Sequence, residues 1–273
     1  MIHIHEGETN IKSIQRENYM KKETLDKLTL LQDALNELIT TGWKENRTEL
    51  DFMVASHMEM SELIDTTIID GDTKHSLNWK WWKGKSGERT MDSVEWDNMH
   101  PAVKDNIKIE LTDLLFFTLS QKRLGDLTGE DETVILNEND WINFMSITAN
   151  NLLQRPGAAL ILILELAKKI DFNITAYYIA KHTLNHIRQL TGYKDGSYVK
   201  VNDGVEDNEL LHDTIKTITE DDIDNNFNHV ADSIMSRVYD KFNVVEDDRM
   251  TVMKWVELIA DTDESEDKSE MKE

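Results

Sequence analysis

The 273-residue chain contains no cysteine, which excludes a disulfide framework and any thiolate metal site. It has two prolines and eleven glycines, so few positions interrupt a long helix. Alternating β-branched runs are scarce, and the chain reads as nearly all-α. Its longest strongly apolar run, 158–164, falls well short of the ~20 residues that a bilayer-spanning helix needs. The opening MIHIHEGETN lacks the basic region and apolar core of a secretory signal. These absences fit a reducing compartment, and a cytoplasmic location is expected. Positive charge is also short: 30 Lys and Arg stand against 53 Asp and Glu, for a formal net charge of −23. That argues against a nucleic-acid polymer as partner, because such affinity rests on phosphate neutralisation. It leaves room for one nucleotide held by a metal and a few local cations.

What is present suits a soluble globular protein, with 39% hydrophobic and 30% charged residues. The expected organisation is a leader at 1–22, one all-α domain at 23–260 and an acidic disordered tail at 261–273. The tail carries seven acids against two lysines, a composition that cannot bury a core. Leu28, Leu31, Leu35 and Leu38 mark a first amphipathic helix over about 24–40. Further helices are expected over about 48–67, 101–123 (opened by Pro101), 138–153, 158–170, 173–191 (closed by Gly192), 219–242 and 246–260. Residues 70–78 read as a polar loop. The loop 192–208, GYKDGSYVKVNDGVEDN, is long for an inert connection, which favours a functional role.

Acids stand where helix periodicity calls for apolar residues. Glu59 and Glu62 fall on the wheel between Met58 and Leu63, with Ala55 in the same arc. Glu110 and Asp113 fall between Ile109 and Leu114, with Phe117 between them. An i,i+3 pair puts both carboxylates on one helix face. If both faces turn inward, four carboxylates meet in a low-dielectric place, where repulsion and burial demand compensation. A hard divalent cation with a preference for oxygen ligands supplies it, so a Mg²⁺ site in a helix bundle is expected. Solvated surface acids are the bland alternative. A di-iron bundle needs Glu-x-x-His motifs, and the histidines are missing.

Other clusters carry weaker signals. Trp79-Lys80-Trp81-Trp82-Lys83 supplies either a stacking wall for a base or, as the blander reading, an amphipathic core plug or a dimer interface. Lys181, Asn185 and Arg188 share one helix face beside Gln189, and Lys194 and Lys200 follow. Such cations suit a polyphosphate, which Arg binds in a bidentate manner, or else form a surface ion-pair strip. His182 and His186 have zinc-ligand spacing but lack the glutamate of a metalloprotease helix, so packing histidines are expected. His212-Asp213 has no convincing partner ligands for a phosphohydrolase centre.

Together these segments resemble the dimeric all-α dUTPase family, within the all-α nucleoside triphosphate pyrophosphatases that include the MazG proteins. The carrying stretches are LQDALN (31–36), MEMSELID (58–65), WKWWK (79–83), IKIELTDLLFF (107–117) and AYYIAKHTLNHIRQLTGYKDGSYVKVNDGVEDNELL (176–211). The resemblance covers about 25–212 and looks most like trypanosomatid and some bacterial or phage members. It implies Mg²⁺ ligands at Glu59, Glu62, Glu110 and Asp113. It implies uracil and sugar contacts at Gln32, Asn36 and Trp79, and aromatic packing on the base is expected from Trp79 or Phe117. It implies phosphate contacts at Lys181, Asn185, Arg188, Lys194 and Asn208, with Tyr193 and Lys200 as weaker carry-overs. Two departures stand out. An insertion at about 68–76 follows the first acid helix, and Phe116 stands where the family pattern has histidine.

The activity implied is hydrolysis of dUTP to dUMP and pyrophosphate, with Glu62 orienting or deprotonating the water. The resemblance also implies attack at the β-phosphorus, activity on dUDP and a homodimer that shares active-site surface. Two rivals remain at this level: a broader pyrophosphatase that accepts dCTP, and a non-catalytic helical scaffold.

Overall fold

The computed structural model describes residues 11–14, 20–70, 73–76, 99–124, 134–137, 148–152, 155–202 and 204–260. The WKWWK segment with Trp79, the 261–273 tail, most of the 1–22 leader and residues 138–147 of the expected fourth helix lie outside them. The architecture is all-α. In chain order the elements are β1 (Ile11–Ile14), α1 (Lys22–Ile39), α2 (Trp43–Asn46), α3 (Glu49–Ile64), β2 (Thr67–Asp70), β3 (Thr73–Ser76) and α4 (Pro101–Leu124). There follow β4 (Val134–Asn137), α5 (148–152), α6 (Pro156–Lys169), α7 (Ile174–Leu190), β5 (Val201–Asn202) and β6 (Val205–Glu206). A 3₁₀ turn (Asp207–Leu211), α8 (His212–Ile215), α9 (Glu220–Asn225), α10 (Phe227–Lys241) and α11 (252–260) complete the described chain. The strands form three small antiparallel pairs, β1–β4, β2–β3 and β5–β6.

α4 is the central helix, packed against α1, α3, α6 and α7. Its Val103, Ile107, Leu111, Leu114, Leu115 and Leu119 are buried, and each such side chain contributes about 1.5–3 kcal/mol on leaving water. α6 is buried on every side from Ala158 to Ala167, as expected of a helix apolar all round. α10 and α11 close the far side of α7. There His182 Nε2 meets the Leu31 carbonyl at 2.9 Å, and His186 Nδ1 meets the Tyr239 hydroxyl at 2.8 Å. Trp255 packs edge-on against both rings. These two histidines are core groups, each tied to a protein oxygen.

Three element boundaries differ from the periodic pattern. α3 stops at Ile64, where the Thr66 hydroxyl bonds back to the Glu62 and Leu63 carbonyls, and in place of part of the polar loop expected over 70–78 the strands β2 and β3 pair antiparallel, Thr67 with Ser76 through Asp70 with Thr73. The expected 219–242 helix breaks at Asn226 (φ −153°, ψ 62°) into α9 and α10. The last helix begins only at 252, after a 3₁₀ turn and an extended Arg249. Among the described residues no helix is long and apolar enough to cross a membrane.

Candidate functional site

α3 starts at a capping box in which Thr48 and Asp51 satisfy each other's backbone amides, and from there it runs antiparallel to α4. Two side-chain bonds fix the register. Gln121 Nε2 donates to Ser56 Oγ at 3.0 Å, and Asn106 Nδ2 donates to Thr66 Oγ1 at 3.2 Å. The four acids lie between these pins. Glu59, Glu62 and Glu110 each bring one carboxylate oxygen within 4.8 Å of the other two. Asp113, one turn on from Glu110, accepts from Lys181 Nζ at 2.5 Å. That ammonium is 2% exposed, so α7 inserts a fixed cation into the acidic junction of α3 and α4. Leu63, Ile109 and Leu114 are buried around the acids, whereas Met58 is 60% exposed. The site is therefore walled on one side and open to water on the other, where Glu62 is exposed.

The electrostatics follow from the crowding. Burial, then repulsion from Asp113, Glu110 and Glu62, pushes Glu59 up to about 8, against the pull of Lys181. Burial and Asp113 push Glu110 up to about 7. Asn106, which sequence reasoning missed, donates to Glu110 Oε1 at 3.2 Å and ties it to the end of α3. Its i,i+4 spacing to Glu110 was the only signal available. Three hard oxygen donors, none of them thiolate or imidazole, kept apart in charge by their own repulsion, fit a hard divalent ion.

One turn N-terminal to Lys181, Tyr178 begins a chain of amides. Its hydroxyl donates to Gln32 Oε1 (2.8 Å), Gln32 Nε2 to Asn36 Oδ1 (2.9 Å), and Asn36 Nδ2 to Ser120 Oγ (2.9 Å). Ser120 spends its own hydrogen on the Phe116 carbonyl. Phe116 stacks on Tyr178 with ring centroids 4.3 Å apart, so the residue that replaces the expected histidine supports the tyrosine holding Gln32. Phe117 lies beside Phe52, with ring centroids 6.5 Å apart, and Phe52 packs in turn on Trp43.

The far end of α7 meets the 192–208 loop. Gly192 has φ +92°, and a Cβ there would lie 1.9 Å from Ser197 Oγ, so only glycine makes this turn. Its left-handed conformation lets Tyr193 N–H bond the Arg188 carbonyl, and the Tyr193 ring lies over the Arg188 guanidinium. Arg188, 8% exposed, donates to Asn185 and, twice, to Asp207 (2.7 and 2.9 Å). Burial works to lower the Arg188 pKa, and Asp207 more than reverses it. Lys194 reaches the Ile39 carbonyl at the end of α1. Lys200 and Asn208 both bond Glu206. Asp207 and Glu206 were not singled out from the sequence. Of His212-Asp213, Asp213 pairs with Lys216 on the surface, and the His212 ring lies against Tyr177.

A dUTPase family model matches residues 24–193. The chain belongs to the all-α dUTPase family. The matched span contains all four acids, the amide chain and the α7 face, and it ends just before Lys194. No curated protein matches the chain. As a dUTPase the protein is a dUTP diphosphatase, a hydrolase whose substrate is a small nucleotide, and the carboxylate cluster on α3 and α4 suits the divalent metal that dUTPases generally use.

Proposed function

We propose that this dUTPase is a Mg²⁺-dependent enzyme that hydrolyses dUTP, and dUDP, to dUMP at the junction of α3, α4 and α7. The observation that carries this reading is the convergence of Glu59, Glu62 and Glu110 beside a buried Lys181–Asp113 pair. Glu59, Glu62, Glu110 and Asp113 would hold the metal, which supplies charge neutralisation at the phosphate oxygens and acidifies water. Glu62, the most exposed of the three converging acids, takes the proton from the attacking water and holds its oxygen in line. Lys181, beside Asp113, neutralises charge developing on the phosphates, with Asn185, Lys194, Lys200 and Asn208 extending the same face.

Gln32 and Asn36 read the base. With one amide hydrogen of Asn36 spent on Ser120 and one oxygen lone pair on Gln32, a donor and an acceptor remain. Together they complement a pyrimidine edge with a carbonyl beside an N–H, which uracil has. Trp79 and Phe117 are the proposed aromatic contacts. We assign the outward apolar stripe of α3, Leu50, Val54 and Met58, all more than half exposed, to the second copy of a homodimer.

The test is metal-dependent product release from dUTP, dUDP, dCTP, dTTP and UTP, with and without EDTA. Cleavage of dUTP and dUDP alone supports the full reading, and comparable cleavage of dCTP removes the base-reading assignment. Absence of cleavage, indifferent to EDTA, refutes the enzyme. In labelled water, ¹⁸O appearing in dUMP refutes β-attack.

A further inference from the structure

Asn106 stands one turn before Glu110 on α4 and serves two partners. Its Nδ2 donates to Glu110 Oε1 and to Thr66 Oγ1, both at 3.2 Å. Thr66, just past the end of α3, is 3% exposed. Its hydroxyl bonds the Leu63 and Glu62 carbonyls at 2.9 and 3.2 Å. One thread of hydrogen bonds therefore runs from the backbone of Glu62 through Thr66 and Asn106 to the carboxylate of Glu110. It joins two of the three converging acids, and these lie on different helices.

The thread has a direction. A backbone carbonyl only accepts, so the single Thr66 hydrogen is spent on α3, and Thr66 Oγ1 is left to accept from Asn106. The amide nitrogen, not the amide oxygen, must then face Thr66. That nitrogen carries two hydrogens, and the second meets Glu110. An amide turned the other way would set its oxygen against the carboxylate and leave Thr66 Oγ1 without a donor. The end of α3 thus decides that Glu110 meets a donor. The bond also restricts rotation of the carboxylate, an ordering cost that ion binding would otherwise carry.

We propose that Asn106 is a positioning residue of the metal site: it holds the Glu110 carboxylate in place beside Glu59 and Glu62, and Thr66 fixes the orientation of its amide. The inference rests on the reading of the three carboxylates as a metal site, and Asn106 acts there through Glu110. A knot that merely ties α3 to α4 makes a different prediction. Ion affinity then falls only as far as stability without the ion falls with it.

The experiment is Mn²⁺ binding to the full chain, followed by the EPR signal of the free ion, for wild type, Asn106→Leu, Asn106→Gln and Thr66→Val. Melting temperatures in EDTA are measured alongside. Leucine keeps the shape of asparagine, removes both donors and is a good helix former. The expected result for Asn106→Leu is a Kd for Mn²⁺ raised about tenfold or more, the usual cost of losing the outer partner of a metal ligand. Its melting temperature in EDTA should stay within about 4 °C of wild type. Asn106→Gln keeps the donors and recovers part of the affinity. Thr66→Val raises Kd about two- to fivefold, the cost of one hydrogen bond, and adds nothing in the Asn106→Leu background, because it acts through the same amide. A Kd within about twofold of wild type in Asn106→Leu overturns the proposal. A Kd that rises only in step with a lowered melting temperature, or a loss of sites at unchanged Kd, overturns it too. If Asn106→Leu does not fold, Thr66→Val decides by the same comparison. Wild type that binds no Mn²⁺ removes the metal reading along with this one, whereas wild type that binds, beside an indifferent Asn106→Leu, removes this one alone.

Discussion

Replacing Glu59 by glutamine should make the metal-free protein more stable, although it removes a metal ligand. The native fold raises the Glu59 pKa from the ordinary 4.5 to about 8. Between those values the folded chain keeps a proton that the unfolded chain has released, so stability falls as pH rises through that window. For a fully buried group the gap corresponds to roughly 5 kcal/mol, and the partial water access of Glu59 reduces it to about 2 kcal/mol. Glutamine keeps the shape and removes the charge. In EDTA at pH 8 the variant should therefore melt about 4–8 °C above wild type, using about 2–4 °C per kcal/mol for a domain of this size. At pH 5 wild type is itself protonated, and the two curves should nearly coincide. Saturating Mg²⁺ should reverse the order at pH 8, because wild type gains binding energy that the variant has lost. Thermal unfolding followed by circular dichroism in these buffers provides the readout. A variant that melts at or below wild type in EDTA at pH 8 would refute the claim that the acids strain one another.

Four shorter predictions accompany it. Glu62→Gln should lower turnover at least about 100-fold while the fold persists, and near-normal rates would remove Glu62 from the proton transfer. Asp33 is buried against Trp43 Nε1, Arg123 Nε and Lys44 Nζ, so Asp33→Ala should cost about 3 kcal/mol in urea unfolding; a loss below 1 kcal/mol contradicts it. His182 and His186 are held down at about 4 by burial. Their neutral forms favour the fold fully above pH 6.5, and that stability drains as pH falls toward 4, by up to about 3 kcal/mol for the fully buried His182. His182→Gln should flatten that acid limb, and an unaltered limb speaks against the assignment. Met58→Glu should convert a homodimer to monomer in sedimentation, and an unchanged dimer places the seam elsewhere.

The helical class was legible because acids and leucines kept a 3.6-residue period. The acid pairs were legible for the same reason, each breaking an apolar face at i,i+3. What escaped was tertiary. Nothing in the sequence says that Lys181 reaches Asp113, 68 positions away, or that Asp207 pairs with Arg188. Met58 shares the wheel arc of Glu59, yet its exposure is set by α3 packing chiefly on α4, and a wheel has no knowledge of neighbours. The split of α9 from α10 at Asn226 was hidden because Ile223, Phe227, Ala231 and Ile234, all buried, keep a helix period across the break. Thr219 and Asp222 form the capping box that opens α9, a signal visible in the sequence but silent about where the helix stops.

α3 contributes two of the three converging carboxylates and takes its principal packing from a single neighbour. Ion capture and the docking of this helix are thus one equilibrium seen from two ends. An apparent dissociation constant for the ion equals the intrinsic one divided by the fraction of molecules with α3 seated. Mutual repulsion among the carboxylates acts as a spring that lowers this fraction, and the ion serves as the clasp that holds the spring shut. Any substitution that loosens the α3–α4 seam, such as one at Ser56 or Gln121, would register as weakened ion affinity without touching a ligand.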